Sequence, residues 1–261
     1  MTKRIVFLHG AWVTPHCWDE MRGYFEQRGY ECLAPAWPGK DRSVEDIRRD
    51  PSPLKGLGIG EIVASYEKVI RALDEPPILI GHSFGGLFTQ ILLDRGLGAA
   101  GIAIDPAPPK GVFAYEPSAY RSLLGVILTP FGWRKVVRWK YGNFRYAFVH
   151  LLSEADAHAA YETQVTPETG RIFFQDAIAG FSRNSPARVN FANRSRPPLL
   201  IVGGQADRIV PASLVRRTVK KYAKAGAPVE YQEFAGRTHW LIAQEGWQDI
   251  AAAIEAFITR A

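Results

Sequence analysis

Gly81-His82-Ser83-Phe84-Gly85-Gly86 lies directly behind the apolar run Pro77-Ile78-Leu79-Ile80 and directly ahead of a helix-like stretch, Leu87 to Asp94. A strand that reverses this abruptly into a helix forces its apex residue into a strained backbone with φ > 0. Small neighbours two positions away on each side make that turn sterically possible. Gly81 and Gly85 are those neighbours and Ser83 is the apex. The turn lifts the serine hydroxyl clear of the backbone and sets the Phe84 N–H at a helix N-terminus, where the dipole favours an oxyanion. A glycine-rich turn with a serine cap would carry the same string. The strand before it and the helix after it favour a nucleophile with half of its oxyanion site.

Short β-rich runs alternate with helix-length segments on both flanks, the pattern of a mostly parallel sheet covered by helices. Strands are expected at Arg4–His9, Glu31–Ala34, Pro77–His82, Gly101–Asp105, Pro198–Val202 and Val229–Phe234. Helices are expected at His16–Arg28, Ile59–Leu73, Phe84–Arg95, Ala212–Ala225 and Gln248–Thr259. Continuous apolar runs such as Leu199-Leu200-Ile201-Val202 fit strands buried on both faces. The stretch from Ala36 to Gly58, rich in Pro, Gly and charge, reads as a long surface excursion that reaches towards the site rim.

The middle of the chain breaks the alternation. Between Ala107 and Arg196 there are twelve Lys/Arg against six Asp/Glu, so this segment carries the whole formal excess of +6. Fifteen of the 31 aromatic residues fall between Phe113 and Phe191. Pro106-Ala107-Pro108-Pro109 leads in and Arg196-Pro197-Pro198 leads out, each a stiff junction. The organisation expected is an α/β core of residues 1–106 and 197–261 with an inserted helical cap, 107–196, over the strand C-terminal ends, where open α/β sheets bind ligands. Cys17 and Cys32 are too few for a disulfide framework and lack metal-ligand spacing. No apolar run reaches spanning length and the N-terminus lacks a signal-peptide layout, so the expected location is cytoplasmic.

A serine needs a base to shed its proton, and the base needs an orienting carboxylate. His239 follows the strand Val229–Phe234 across Ala235-Gly236-Arg237-Thr238, and Asp207 follows the strand ending at Val202. Both lie just past strand C-terminal ends, as Ser83 does. Asp105, past the strand Gly101–Asp105, is the competing acid; otherwise it is a turn residue before Pro106. His9 and His82 adjoin glycines at the site and read as positioning backbone, while His16, His150 and His158 read as solvated or packing residues. The second oxyanion donor is expected in His9-Gly10-Ala11-Trp12, with the Ala11 N–H ahead of Trp12. Trp12 and Trp240 are the candidate substrate contacts.

The order Ser83, Asp207, His239 resembles that of the α/β-hydrolase superfamily. The likeness covers the core, about two thirds of the chain, and the early His-Gly strand resembles the compact branch of plant methylesterases and hydroxynitrile lyases. In the lyases of that branch a threonine tends to follow the first-loop histidine and a lysine the catalytic histidine. Here Gly10 and Trp240 stand at those places, which implies ester hydrolysis rather than cyanohydrin cleavage. A serine elbow also sets the chain apart from superfamily members whose nucleophile is aspartate, the haloalkane dehalogenases and epoxide hydrolases.

The resemblance implies a serine hydrolase that cleaves an ester or lactone of a small, largely apolar substrate through an acyl-enzyme on Ser83. Carbon–carbon bond hydrolysis of a dienoic keto-acid, cofactor-free perhydrolysis, or ligand reception on a retained fold remain alternatives. The cap aromatics suit either a dry apolar pocket or packing on the core. The interleaved run Trp133-Arg134-Lys135-Val136-Val137-Arg138-Trp139-Lys140 suits an anionic substrate, an acidic membrane surface or a solvated helix face. The expected partner is a small-molecule substrate, with no cofactor, metal, nucleic acid or membrane surface required; a homodimer is left open.

Overall fold

A computed structural model describes residues 2–260. Six parallel strands form its main sheet: β1 (Arg4–Leu8), β2 (Glu31–Leu33), β3 (Ile78–His82), β4 (Ala100–Ile104), β7 (Leu199–Gly204) and β8 (Glu230–Phe234). Their spatial order is β2-β1-β3-β4-β7-β8. Every residue of β3, β4 and β7 is buried, as continuous apolar strands between two helical layers require. Two further strands, β5 (Val136–Val137) and β6 (Glu168–Thr169), pair antiparallel outside this sheet.

Helical periodicity accounts for the layers. In α3 (Ile59–Arg71) the buried positions Ile59, Ile62, Val63, Tyr66 and Ile70 make one stripe. The helices α9 (Ala212–Lys224) and α10 (Trp247–Arg260) bury Leu214, Val215, Thr218 and Tyr222, and Ile250, Ile254, Phe257 and Ile258, in the same way. The helix α4 (Phe84–Asp94) differs, with everything from Phe84 to Leu93 buried. It runs beneath the sheet's centre from the C-terminal end of β3.

The first helical segment is a 3-10 turn, Pro15–Trp18, running into α1 (Asp19–Glu26). The excursion between residues 36 and 58 is more ordered than its composition suggests. It forms α2 (Val44–Arg49), capped by the Ser43 hydroxyl on the Asp46 N–H, and it buries Trp37, Lys40, Ile47 and Leu54.

Between β4 and β7 come α5 (Pro117–Ile127), α6 (Tyr141–Ala147), α7 (Glu154–Gln164) and α8 (Arg171–Ala177) with the β5–β6 pair. The basic run is no α-helix: it leaves a 3-10 turn at Gly132–Arg134 and enters a short strand. The β-branched Val136 and Val137 pair with Thr169 and Glu168, while Arg134, Lys135, Arg138 and Lys140 are exposed. The aromatics of this segment divide three ways: Phe173 and Phe174 wall a cavity, Phe144 and Phe148 pack internally, and Phe131 and Phe181 are exposed. Among the described residues no helix is long and apolar enough to cross a membrane.

Candidate active site

Ser83 sits on the turn between β3 and α4 at φ 58°, ψ −120°. The turn is tight because of its glycines. A Cβ on Gly81 would lie 2.1 Å from the Gly85 carbonyl oxygen, and one on Gly85 would lie 1.9 Å from the Leu8 carbonyl oxygen. The Ser83 backbone is tied to the neighbouring strand, its N–H donating to Ile104 O (2.9 Å) and its carbonyl accepting from the Ala107 N–H (3.0 Å). The strained apex is thus held on both sides, and the side chain faces a cavity of about 280 Å³.

Because β4, β7 and β8 follow β3 across the sheet, the loops after them gather beside the elbow. Asp207 and His239 come from the last two of these loops. His239 Nδ1 and Asp207 Oδ2 are 2.5 Å apart, both side chains sealed from solvent. The other oxygen of Asp207 accepts from the Ile209 and Val210 amides at 2.7 and 2.8 Å, which locks the carboxylate. The histidine's turn is fixed by Gln244, whose Oε1 accepts from both the Thr238 N–H and its hydroxyl at 2.9 Å. His239 Nε2 is buried without a hydrogen bond, so it and the Ser83 hydroxyl are not bonded to each other in this state. The His239 ring lies tilted beside that of His82, the residue before Ser83, at 4.5 Å between centroids.

Asp105 lies immediately behind this pair. It is fully buried at φ 39°, and its Oδ1 accepts from the Gly204 N–H at 2.7 Å. Burial first, and then the nearby Asp207 charge, push its carboxyl well above the ordinary range. Both effects disfavour the charged form of Asp105 beside Asp207, and Asp105 does not reach His239 by any hydrogen bond. Donor atoms of Asp105, Asp207 and His239 all lie within 4.8 Å of one another, a spacing a metal ion would accept. Asp207 nevertheless spends both oxygens on protein donors, which is the donor set of a hydrogen-bonded relay.

The loop after β1 approaches from the other side. A Cβ on Gly10 would meet Ser83 Cβ at 2.8 Å, so only glycine lets this backbone so close. Among the described residues the Ala11 and Phe84 amides have no backbone acceptor outside regular elements. The Trp12 N–H, by contrast, donates to Glu168 Oε2 at 3.0 Å. Trp12 is therefore spoken for as a donor, and its indole instead lines the cavity and stacks on Trp139. Trp240 packs near Phe144 and Phe148 and is not on the cavity wall, so the expected substrate contact at Trp240 gains no support.

Three further features bear on the site; the Lys40–Glu168 pair and Asp176 had no signal in the sequence, while His9 contacts backbone beside Gly10 as its position suggests. Lys40 and Glu168 form a fully buried ion pair at 2.6 Å, with Lys40 also donating to Val13 O (3.0 Å) and Thr166 Oγ1 (3.1 Å). Together with the Thr166 N–H donating to Trp12 O at 2.8 Å, this clamps the first loop, with Trp12 at φ 63°. His9 supports the same loop: its Nδ1 lies 2.9 Å from Gly10 O, and its Nε2 accepts from the Trp37 N–H at 3.2 Å. Burial and the nearby Lys40 hold the His9 imidazole neutral. Asp176 is the third feature, the one acidic side chain on the cavity wall.

The profile of the alpha/beta hydrolase family matches residues 5–253. A norfluorocurarine synthase from Strychnos nux-vomica is 29% identical over 127 residues, 47% of this chain and 44% of that protein, so the match spans less than half of the relative's length. Among solved structures, polyneuridine aldehyde esterase aligns over 98% of this chain and 99% of its own at a TM-score of 0.67 and 14% identity. A methylesterase from Arabidopsis aligns over 99% of both chains at 0.69 and 13% identity. A monoacylglycerol lipase from Paleococcus ferrophilus aligns over 99% of this chain and 95% of its own at 0.66 and 20% identity. Likeness at these identities is a likeness of fold.

Proposed function

The chain belongs to the alpha/beta hydrolase family, and we propose that within it the protein is a serine hydrolase acting on a carboxylic ester or lactone of a small, largely apolar substrate. The observation that carries this is the pairing of His239 with the buried Asp207 carboxylate, which leaves one ring nitrogen free, on a loop at the same end of the sheet as a strained serine on the wall of an apolar cavity. The hydrolase, esterase and lipase names among the structural neighbours agree with ester cleavage in general.

In this mechanism His239 Nε2 takes the Ser83 proton as Oγ forms a bond to the ester carbonyl carbon. The carbonyl π electrons move onto oxygen, and the Phe84 and Ala11 amides bind that oxyanion, each donor worth about 3 kcal/mol in the transition state. The tetrahedral species collapses as the C–O bond to the alcohol breaks, and imidazolium at His239 protonates the leaving oxygen. Water then enters, gives its proton to His239, attacks the acyl-enzyme and releases the acid, returning the proton to Ser83. Asp207 holds the Nδ1–H tautomer throughout and stabilises the transient imidazolium.

An ester is preferred over a keto-acid because no lysine or arginine lines the cavity, and a carboxylate there would be left without a counter-charge. The test is a hydrolysis screen across aryl esters of graded acyl length and simple lactones, run in parallel with Ser83→Ala. The proposal expects turnover by the wild type and none above background by the variant. Equal rates for the two proteins would refute it.

A further inference from the structure

The cavity beside Ser83 is walled almost entirely by apolar groups, including Phe84, Val126, Phe173, Ile209 and Leu214. Asp176, near the end of α8, interrupts that wall. The residue as a whole is half-buried: its Oδ1 is sealed from solvent and cavity alike, and neither carboxyl oxygen has a hydrogen-bond partner among the described residues. Burial alone pushes its carboxyl up to about 8, and no charged group contributes to that shift. A carboxyl group without a hydrogen-bond partner on an apolar wall is destabilising unless something satisfies it when the site is filled. A carboxyl group on a dry wall without a neighbouring cation complements one kind of substrate atom better than any other: a basic nitrogen, which shares or takes its proton and leaves a neutral pair. A carboxylate on the substrate would bring a charge onto the same dry wall with no cation to pair with it.

We propose that the substrate carries a basic amine nitrogen distal to its scissile ester, and that Asp176 binds this nitrogen in the cavity. The proposal rests on the ester-hydrolase reading for what happens at Ser83, but the binding it describes is measurable without turnover. The probes are four aryl esters identical except at the distal end of the acyl chain: dimethylamino, isopropyl, methoxy and carboxylate. Binding to the Ser83→Ala protein is measured by calorimetry, and kcat/KM is measured on the wild type.

The expected result is that the dimethylamino ester binds Ser83→Ala roughly tenfold or more tightly than its isopropyl twin, with the carboxylate ester weakest. Asp176→Asn should collapse that ratio towards one, and Asp176→Leu should reverse it by favouring the isopropyl ester. Tight binding of the amine without cleavage by the wild type would uphold this inference and remove the ester-hydrolase reading. Equal affinity for the amine and isopropyl esters, a methoxy ester matching the amine, or no binding of any probe would overturn it. A preference for the amine that survives Asp176→Leu would overturn the assignment to Asp176.

Discussion

His239 Nδ1 stands 2.5 Å from Asp207 Oδ2 while Asp105, equally buried, makes its bond to the Gly204 amide instead. Two carboxyl groups thus share one pocket, and only one of them touches the histidine. If Asp207 fixes the tautomer, Asp207→Asn should lower kcat by about 10³–10⁴-fold. Asp105→Asn keeps an acceptor for Gly204 and removes only a charge that burial already disfavours, so it should cost less than about tenfold by the same comparison. Steady-state kinetics of both variants on one ester decide the assignment. The reverse pattern would make Asp105 the acid.

Gly10→Ala places a methyl 2.8 Å from Ser83 Cβ and 3.0 Å from the His82 carbonyl oxygen. The loop must retreat, carrying the Ala11 amide with it. A displacement of about 1 Å at such a donor costs about 10²-fold in rate, so kcat should fall by that order while the circular dichroism spectrum stays unchanged. An unaffected kcat would take this loop out of the catalytic account.

The buried Lys40–Glu168 pair ties the excursion after β2 to β6 and, through the Trp12 N–H, to the first loop. Removing one member strands the other charge in the core. Lys40→Met or Glu168→Leu should each cost about 3–5 kcal/mol in urea unfolding. The double substitution should recover much of the loss, because the stranded charge is then gone. Additive losses would show that each side chain acts independently of the other.

Burial moves the Asp176 carboxyl from its ordinary 3.8 to about 8. Between those values the folded protein keeps a proton that the unfolded chain releases, so this group's contribution to stability declines as pH rises through that window. Asp176→Asn cannot ionise and removes the slope. Thermal melts at pH 5 and pH 8 should show a smaller fall in Tm for the variant than for the wild type. A parallel fall would show that the carboxyl is not held neutral.

Much of this architecture is legible in the residues themselves. All six main strands lie within a residue or two of the runs that suggest them, and in β1, β3, β4 and β7 this is because apolar runs bounded by turns have little alternative. The elbow at Ser83 is legible because a strand, two glycines and a helix must all agree locally. Other features depend on contacts between distant segments. The basic run around Val136 has helix-like spacing, yet pairing with Glu168 and Thr169 makes it a strand. Lys40 and Asp176 look like ordinary solvated charges in sequence, and only the packing around them makes one an internal anchor and the other a lone acid in an apolar wall. Trp240 shows the opposite case: next to His239 in the chain, it packs with Phe144 and Phe148.

The account stands on Ser83 being an activated nucleophile. Incubation with a fluorophosphonate, followed by intact-mass spectrometry and peptide mapping, tests that directly. It should give a single phosphonyl adduct on Ser83, absent from Ser83→Ala and slowed strongly in His239→Ala. A wild-type protein that stays unmodified, or that carries its adduct on another residue, would contradict the account at its root.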